Sequence, residues 1–289
     1  MNRPSNVALA IVAPSALLAL AWSGVRTATV AELAKPGASG SGPIVMQETV
    51  GVNSCGPCAL FHCLAWGDKK LQSVLSKLDA MEPPAQVEAL IENYLSTPSE
   101  AYAGKRARYE ATSGITWIDL AYGVDDLCAE HKLPPVESGY LDLHDGETLS
   151  KHVRRVHASF RDSLSAGFPP LLSIRSFLVD QQDGKFTWRG VAGHGVAVVE
   201  VQPELGDEEL GFRIGFVDSD TGKQLHGYAH ASPGRNFTAM KGDFEQFEWV
   251  TDRPFLLLTA PRPFVGLTQD VAWWARDLLT LDFAIRRGK

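Results

Sequence analysis

The chain has 289 residues, 45% of them apolar and 21% charged, which is an ordinary globular balance and enough for one large domain or two lobes sharing a core. Its formal net charge of -7 and the lack of a strongly basic stretch exclude nucleic acid as an expected partner. Four cysteines in a chain this long do not make a disulfide framework, and Cys55, Cys58 and Cys63 crowd into one short segment.

Residues 1–31 read as a targeting segment. Arg3 supplies a positive start, 7–22 is apolar apart from Pro14 and Ser15, and Thr29-Val30-Ala31 offers a cleavage site. The run is short for a membrane span and carries a proline, so an exported protein, secreted or periplasmic, is expected. Only an uncleaved segment would tie it to a membrane. Residues 32–44, rich in Gly and Ser from Pro36 to Pro43, form a flexible leader.

The first half is helical in pattern. Residues 54–65 carry Ala59, Leu60, Cys63 and Leu64 on a stripe that Gly67 stops, with Asn53 or Ser54 as cap and Pro57 in the first turn. Further helices are expected over 70–81, after Pro83-Pro84, over 116–131 and over 147–166, with a polar loop over 96–114. Cys128 reads as a small buried apolar residue. Strand-like runs follow at 170–179, 195–201, 210–217 and 255–259, joined by short polar links such as 203–209 that suggest antiparallel hairpins. The tail over 268–287 returns to helical spacing through Val271, Trp274, Leu278 and Leu281. Helices first and strands second argue for an α+β fold.

Asn53-Ser54-Cys55-Gly56-Pro57-Cys58 places a thiol at a helix start. The unpaired N–H groups and the dipole there favour an anion and lower a thiol pKa. A thiolate nucleophile needs a proton donor for the leaving group, and imidazole serves. Among eight histidines, His194 stands out, at the start of an apolar strand between Gly193 and Gly195, which clear space for a substrate. Asp218 ends the next strand, so a hairpin would bring it to His194 as the orienting acid. Asp220 competes for that role.

His226 and His230 lie four apart, but Gly227 and Pro233 oppose a helix that would make them a metal pair. His62 is two turns along from Cys55, too far to touch it, and His131, His144, His152 and His157 fall on polar faces and are expected in solvent. No phosphate-loop spacing and no Gly-x-Ser-x-Gly context occur, and no cofactor or metal is called for.

The Cys55-Gly56-Pro57 helix start, the Gly193-His194 strand and the later strand ending in Asp218 resemble the bacteriocin-processing (double-glycine-leader) cysteine peptidases, members of the papain-like superfamily. The stretch Ser165-Ala166-Gly167-Phe168-Pro169-Pro170-Leu171-Leu172 is also similar to that family's approach to its histidine strand. The resemblance covers residues 45–225. It implies a papain-like cysteine proteinase fold, a helical N-terminal lobe packed on an antiparallel β-sheet, here spanning 45–262 with a helical tail over 263–289. It further implies Cys55 as nucleophile, His194 as base, Asp218 as orienting acid, a peptide or protein substrate, and Gln47 as the glutamine that lends an oxyanion donor. Gln47 stands eight residues before Cys55, farther than the family's five or six, and Ser219 follows Asp218 where the family has Pro.

Cys55-Gly56-Pro57-Cys58 is also the thioredoxin redox tetrapeptide, and thiol–disulfide exchange is the rival chemistry. Against it stand Ser54 in place of an aromatic residue, a mixed rather than apolar 46–53, and a Pro-led strand, at Pro169-Pro170, that comes over a hundred residues later instead of about forty. A catalytically inactive, peptide-binding relative is the third alternative.

Overall fold

The structure is a computed structural model that describes residues 41–78, 82–182, 185–231, 239–240, 255–260 and 278–288. The expected targeting segment and most of the leader lie outside the described residues, as does the first part of the expected tail helix.

A 3-10 turn at Gln47–Thr49 leads into α1 (Cys55–Trp66). Every residue of α1 from Gly56 to Trp66 is buried, so the helix is apolar on all faces because it runs through the middle of a lobe. Around it pack α2 (Lys69–Ser76), α3 (Pro83–Leu90), which continues into a π turn at Ile91–Leu95, and α4 (Trp117–Glu130). Local chemistry fixes their starts. The Asp68 carboxylate accepts the N–H groups of Lys70 and Leu71 at 2.9 Å, and Thr116 Oγ1 accepts that of Asp119 at 3.0 Å. Between α3 and α4 the expected loop carries a two-strand pairing of β1 (Tyr109–Glu110) with β2 (Gly114–Ile115).

After α4 come β3 (Val136–Tyr140) and α5 (Leu149–Ser165), then the strand-rich half. It comprises β4 (Leu171–Gln182), β5 (Lys185–Val201), β6 (Gly211–Asp218), β7 (Lys223–His230), β8 (Ala239–Met240), β9 (Leu256–Thr259) and β10 (Leu278–Arg287). Strands β10, β4, β5, β6, β7 and β9 pair antiparallel in that order, and β9 pairs back onto β10, so the sheet closes into a six-stranded barrel. Closure removes the free edges that an open sheet would expose. β3 extends the sheet beyond β10, and β8 runs parallel beside β5. The fold is α+β.

The core has two parts. Leu172, Ile174, Val196, Val198, Phe212 and Phe216 fill the barrel, and Val153, Val156, Phe160 and Leu164 of α5 join the same cluster. On the other side of the sheet Leu171, Ala197, Val199, Val217 and Phe283 meet α1 through Leu60, Phe61 and Leu64. Alternate residues of β4 and β5 thus belong to the two clusters, as a period of two requires.

Three expectations are corrected. Residues 278–287 of the expected tail helix form β10, which completes the barrel and is no appendage. Residues 279–283 alternate apolar and polar as a strand does, but Leu278 and Leu281 also continue the helical spacing of Val271 and Trp274 in the sequence, which makes the segment read as helix. His152 and His157 are buried, not solvated: their Nε2 atoms pair with the carbonyls of Leu141 at 2.7 Å and Gln202 at 2.6 Å. His194 lies well inside β5 and does not open the strand, because the β4–β5 hairpin runs on past it to Gln182 and Lys185.

Candidate active site

Cys55 is the first residue of α1, and the chain reaches it through a constrained turn. Asn53 sits in the left-handed region at φ 61°, a conformation Asn tolerates, and its amide donates to the carbonyls of Ala111 and Thr112 at 3.1 and 3.2 Å. Ser54 is the N-cap residue, yet its hydroxyl makes no cap; it donates to the Gly51 carbonyl at 2.7 Å. No cap side chain therefore takes up the first N–H groups of α1, and they and the dipole act on the Cys55 position.

His194 and Asp218 come together through strand register. Val196 of β5 pairs with Asp218 of β6, so His194, two residues along on the same face, is its diagonal neighbour. His194 Nε2 donates to Asp218 Oδ1 at 2.7 Å. Asp218 is fully buried and also accepts from the N–H of Asp220 and the N–H and hydroxyl of Thr221, at 3.1, 3.1 and 2.6 Å. These donors favour the ionised carboxylate: burial pushes its pKa up, but the bonds to His194 and Thr221 outweigh that and hold it below the usual range.

The imidazole also hydrogen-bonds the Cys55 thiol. With Nε2 committed to Asp218, Nδ1 is the nitrogen left for sulfur. Burial alone would raise the thiol pKa; the His194 bond and charge, with a bond from the Gly195 N–H, more than reverse it, and the net shift is downward. For His194 burial works downward, and Asp218 and the Cys55 sulfur raise the ring to about 10. The two shifts together describe a thiolate beside an imidazolium, a pair that titrates as a unit.

Gly195 is a point of close approach between β5 and α1. A Cβ there would lie 3.1 Å from the Cys55 carbonyl oxygen and 3.2 Å from the Trp117 ring tip. Gly193 faces open space. Of the two glycines flanking His194, Gly193 borders open space, and Gly195 lets α1 approach the barrel.

Gln47 lies in the 3-10 turn, with its backbone N–H on the Ser219 carbonyl at 3.0 Å. Its side-chain amide donates to Asp220 Oδ1, while among the described residues its Oε1 is buried without a hydrogen-bond partner. Asp220 Oδ2 stands 3.9 Å from His194 Nδ1. The structure thus brings Cys55, His194, Asp218 and Gln47 together and adds Asp220 as a fifth member. Asp218 holds Nε2, and Asp220 lies on the sulfur side of the ring. The Gly195 N–H is the site member that the sequence does not foretell, although the Gly-His-Gly triplet is the available signal for it.

Cys58 is fully buried one turn into α1, and burial pushes its thiol up to about 12. Cys63 and Cys128 are buried too, and all four thiols are free. His62 is buried with Nε2 accepting the Val45 N–H at 2.9 Å, and burial lowers its pKa to about 3. His226 and His230 lie on β7, where His226 Nε2 pairs with Glu200 Oε2 at 3.0 Å.

Compared with protein-family models, curated proteins and solved structures, the chain finds no match in any of the three.

Proposed function

We propose that the protein is a cysteine hydrolase that cleaves a peptide or amide bond through Cys55, His194 and Asp218, on a papain-like division of labour between a helical lobe and a β-barrel. The observation that carries the reading is the unbroken hydrogen-bonded line from the Cys55 sulfur through His194 to the buried Asp218 carboxylate. Neither dithiol exchange nor passive peptide binding gives that line a task. The rival redox reading also needs Cys58, which sits fully buried behind the nucleophile.

The thiolate attacks the substrate carbonyl carbon, and the carbonyl oxygen takes the negative charge. The Cys55 backbone N–H and the Gln47 amide N–H not used by Asp220 are the proposed donors to it. His194 passes its Nδ1 proton to the leaving nitrogen, the C–N bond breaks, and a thioester remains on Cys55. Nδ1 then takes a proton from water, the hydroxide attacks the thioester, and the acid leaves with the thiolate–imidazolium pair restored. An amine in place of water would make the same steps a transpeptidation. Asp218 keeps Nε2–H in place so that Nδ1 is the working atom throughout.

Residues 1–31 support export, which places the expected peptide or protein substrate outside the cytoplasm. The test is acid quenching of the protein mixed with a panel of peptide p-nitrophenyl esters, followed by mass analysis. An acyl adduct on Cys55, absent in Cys55→Ala, is the expected result. Intact Cys55 across the panel, with equal ester hydrolysis in the variant, contradicts the reading.

A further inference from the structure

We infer that Asp220 is a positioning residue that turns the Gln47 amide with its N–H edge toward the oxyanion, an inference that rests on the acyl-transfer reading above. Gln47 is pinned through its main chain to both halves of the site. Its N–H donates to the Ser219 carbonyl at 3.0 Å, and its carbonyl accepts the Gly51 N–H at 2.9 Å and the Ser54 hydroxyl at 3.2 Å. Ser219 belongs to the turn between β6 and β7, and Ser54 is the N-cap of α1. The same turn packs against the residue before Gln47: a Cβ at Gly222 would lie 2.9 Å from Met46 Cγ.

These bonds fix where the amide sits but not which way round it is. A glutamine amide is nearly symmetric in shape, so its partners decide its orientation. Nε2 donates to Asp220 Oδ1. An ionised carboxylate offers only acceptors, so it takes the amide nitrogen and rejects the oxygen. Oε1 is buried and meets no donor among the described residues, so the Asp220 bond alone sets the orientation there. Nε2 keeps a second N–H for negative charge on a substrate oxygen. The reversed amide would present an oxygen lone pair at the same place and oppose that charge.

Asp220 is held in turn. Its N–H donates to Asp218 Oδ1 at 3.1 Å, the same oxygen that takes His194 Nε2 at 2.7 Å. Asp218 therefore registers the imidazole directly and the oxyanion donor through Asp220. Asp220 Oδ2 stands 3.9 Å from His194 Nδ1, too far to share its proton, so Asp220 acts through Gln47 and not as a second base.

Two reactions of Cys55 in the full chain separate this role from a structural one. Acylation by a peptide p-nitrophenyl ester develops an oxyanion; alkylation by iodoacetamide is displacement at a saturated carbon and develops none. Both rates are read by intact mass at their pH plateaus, so that altered thiol ionisation drops out. Asp220→Asn lets the new amide donate to Gln47 Oε1 and turn the glutamine over. It should slow acylation at least about tenfold and alkylation by less than about threefold, and Gln47→Ala should slow acylation by about 10²–10³. In the Gln47→Ala background, Asp220→Asn should slow acylation no further. Equal acylation in wild type and Asp220→Asn, a parallel fall in both reactions, or losses that multiply in the double variant overturns the inference and leaves the acyl-transfer reading standing. A wild-type chain that alkylates but never acylates overturns that reading and the inference with it.

Discussion

Asp218 and Asp220 address different nitrogens of His194: Asp218 Oδ1 holds Nε2 at 2.7 Å, and Asp220 Oδ2 stands 3.9 Å from Nδ1 on the sulfur side. Their charges act on Cys55 in opposite senses. Asp218 favours the imidazolium that stabilises the thiolate, whereas Asp220 raises the thiol pKa directly. In Asp218→Asn the acid limb of Cys55 alkylation should move to higher pH, and acylation should slow by roughly 10²–10⁴-fold. In Asp220→Asn the same limb should move to lower pH. Iodoacetamide rates across pH, read by intact mass, check both; shifts of the same sign contradict the assignment.

Cys58→Ser separates hydrolysis from dithiol exchange. Cys58 makes no bond to the imidazole, and its hydroxyl analogue would keep a contact to Ser54, whose oxygen lies 3.9 Å from the sulfur. Cys55 acylation should stay within about threefold of wild type, a barrier change of ~0.7 kcal/mol. Disulfide reduction by the variant, assayed with an oxidised dithiol substrate, should be nil in both proteins. Exchange activity in the wild type that the variant loses would favour the redox reading.

Much of this arrangement is legible in the sequence, for physical reasons. Cys55 at a helix start needs only local information: Ser54, Pro57 and an apolar stripe. The nearness of His194 to Asp218 follows from one register, an apolar strand and its hairpin partner. Gln47 and Asp220 were harder, because their contact depends on how the 3-10 turn meets the β6–β7 turn, where Gln47 N–H bonds the Ser219 carbonyl across a long stretch of chain. β10 reads as helix because Leu278 and Leu281 continue the spacing of Val271 and Trp274, although residues 279–283 alternate as a strand does. His152 and His157 read as solvated because α5 is rich in polar residues, and a histidine satisfied by a carbonyl looks the same in sequence as one in water.

The two glycines beside His194 should respond differently to alanine. At Gly195 the new methyl presses on the Cys55 carbonyl at 3.1 Å, backbone that cannot yield without moving α1, so a loss of about 1–3 kcal/mol and slower labelling are expected. At Gly193 it meets nothing within 4 Å, so stability should change by less than about 0.5 kcal/mol. Denaturant midpoints compare the two; equal midpoints contradict the described packing of α1 on β5.

His62 gives a stability signature in acid. Its folded pKa of about 3 lies below the ordinary 6.5, so between these values the unfolded chain takes up a proton that the folded chain refuses. Its contribution is fully present above pH 6.5 and is lost as pH falls toward 3, by about 1.4 kcal/mol per pH unit. His62→Gln, whose amide oxygen can still accept the Val45 N–H, should shift the acid-unfolding midpoint to lower pH. Circular dichroism across pH reads this directly, and an unchanged or higher midpoint contradicts it.

The proposed chemistry begins from the thiolate–imidazolium pair, which the pH dependence of Cys55 alkylation in wild type and His194→Ala reads out. The wild-type midpoint should lie below the ordinary thiol value of 9.0. In His194→Ala it should rise above that value, because burial then acts on the sulfur without the imidazolium to oppose it. A wild-type midpoint at or above 9.0 that the substitution leaves unchanged would contradict a thiolate–imidazolium pair at Cys55 and His194.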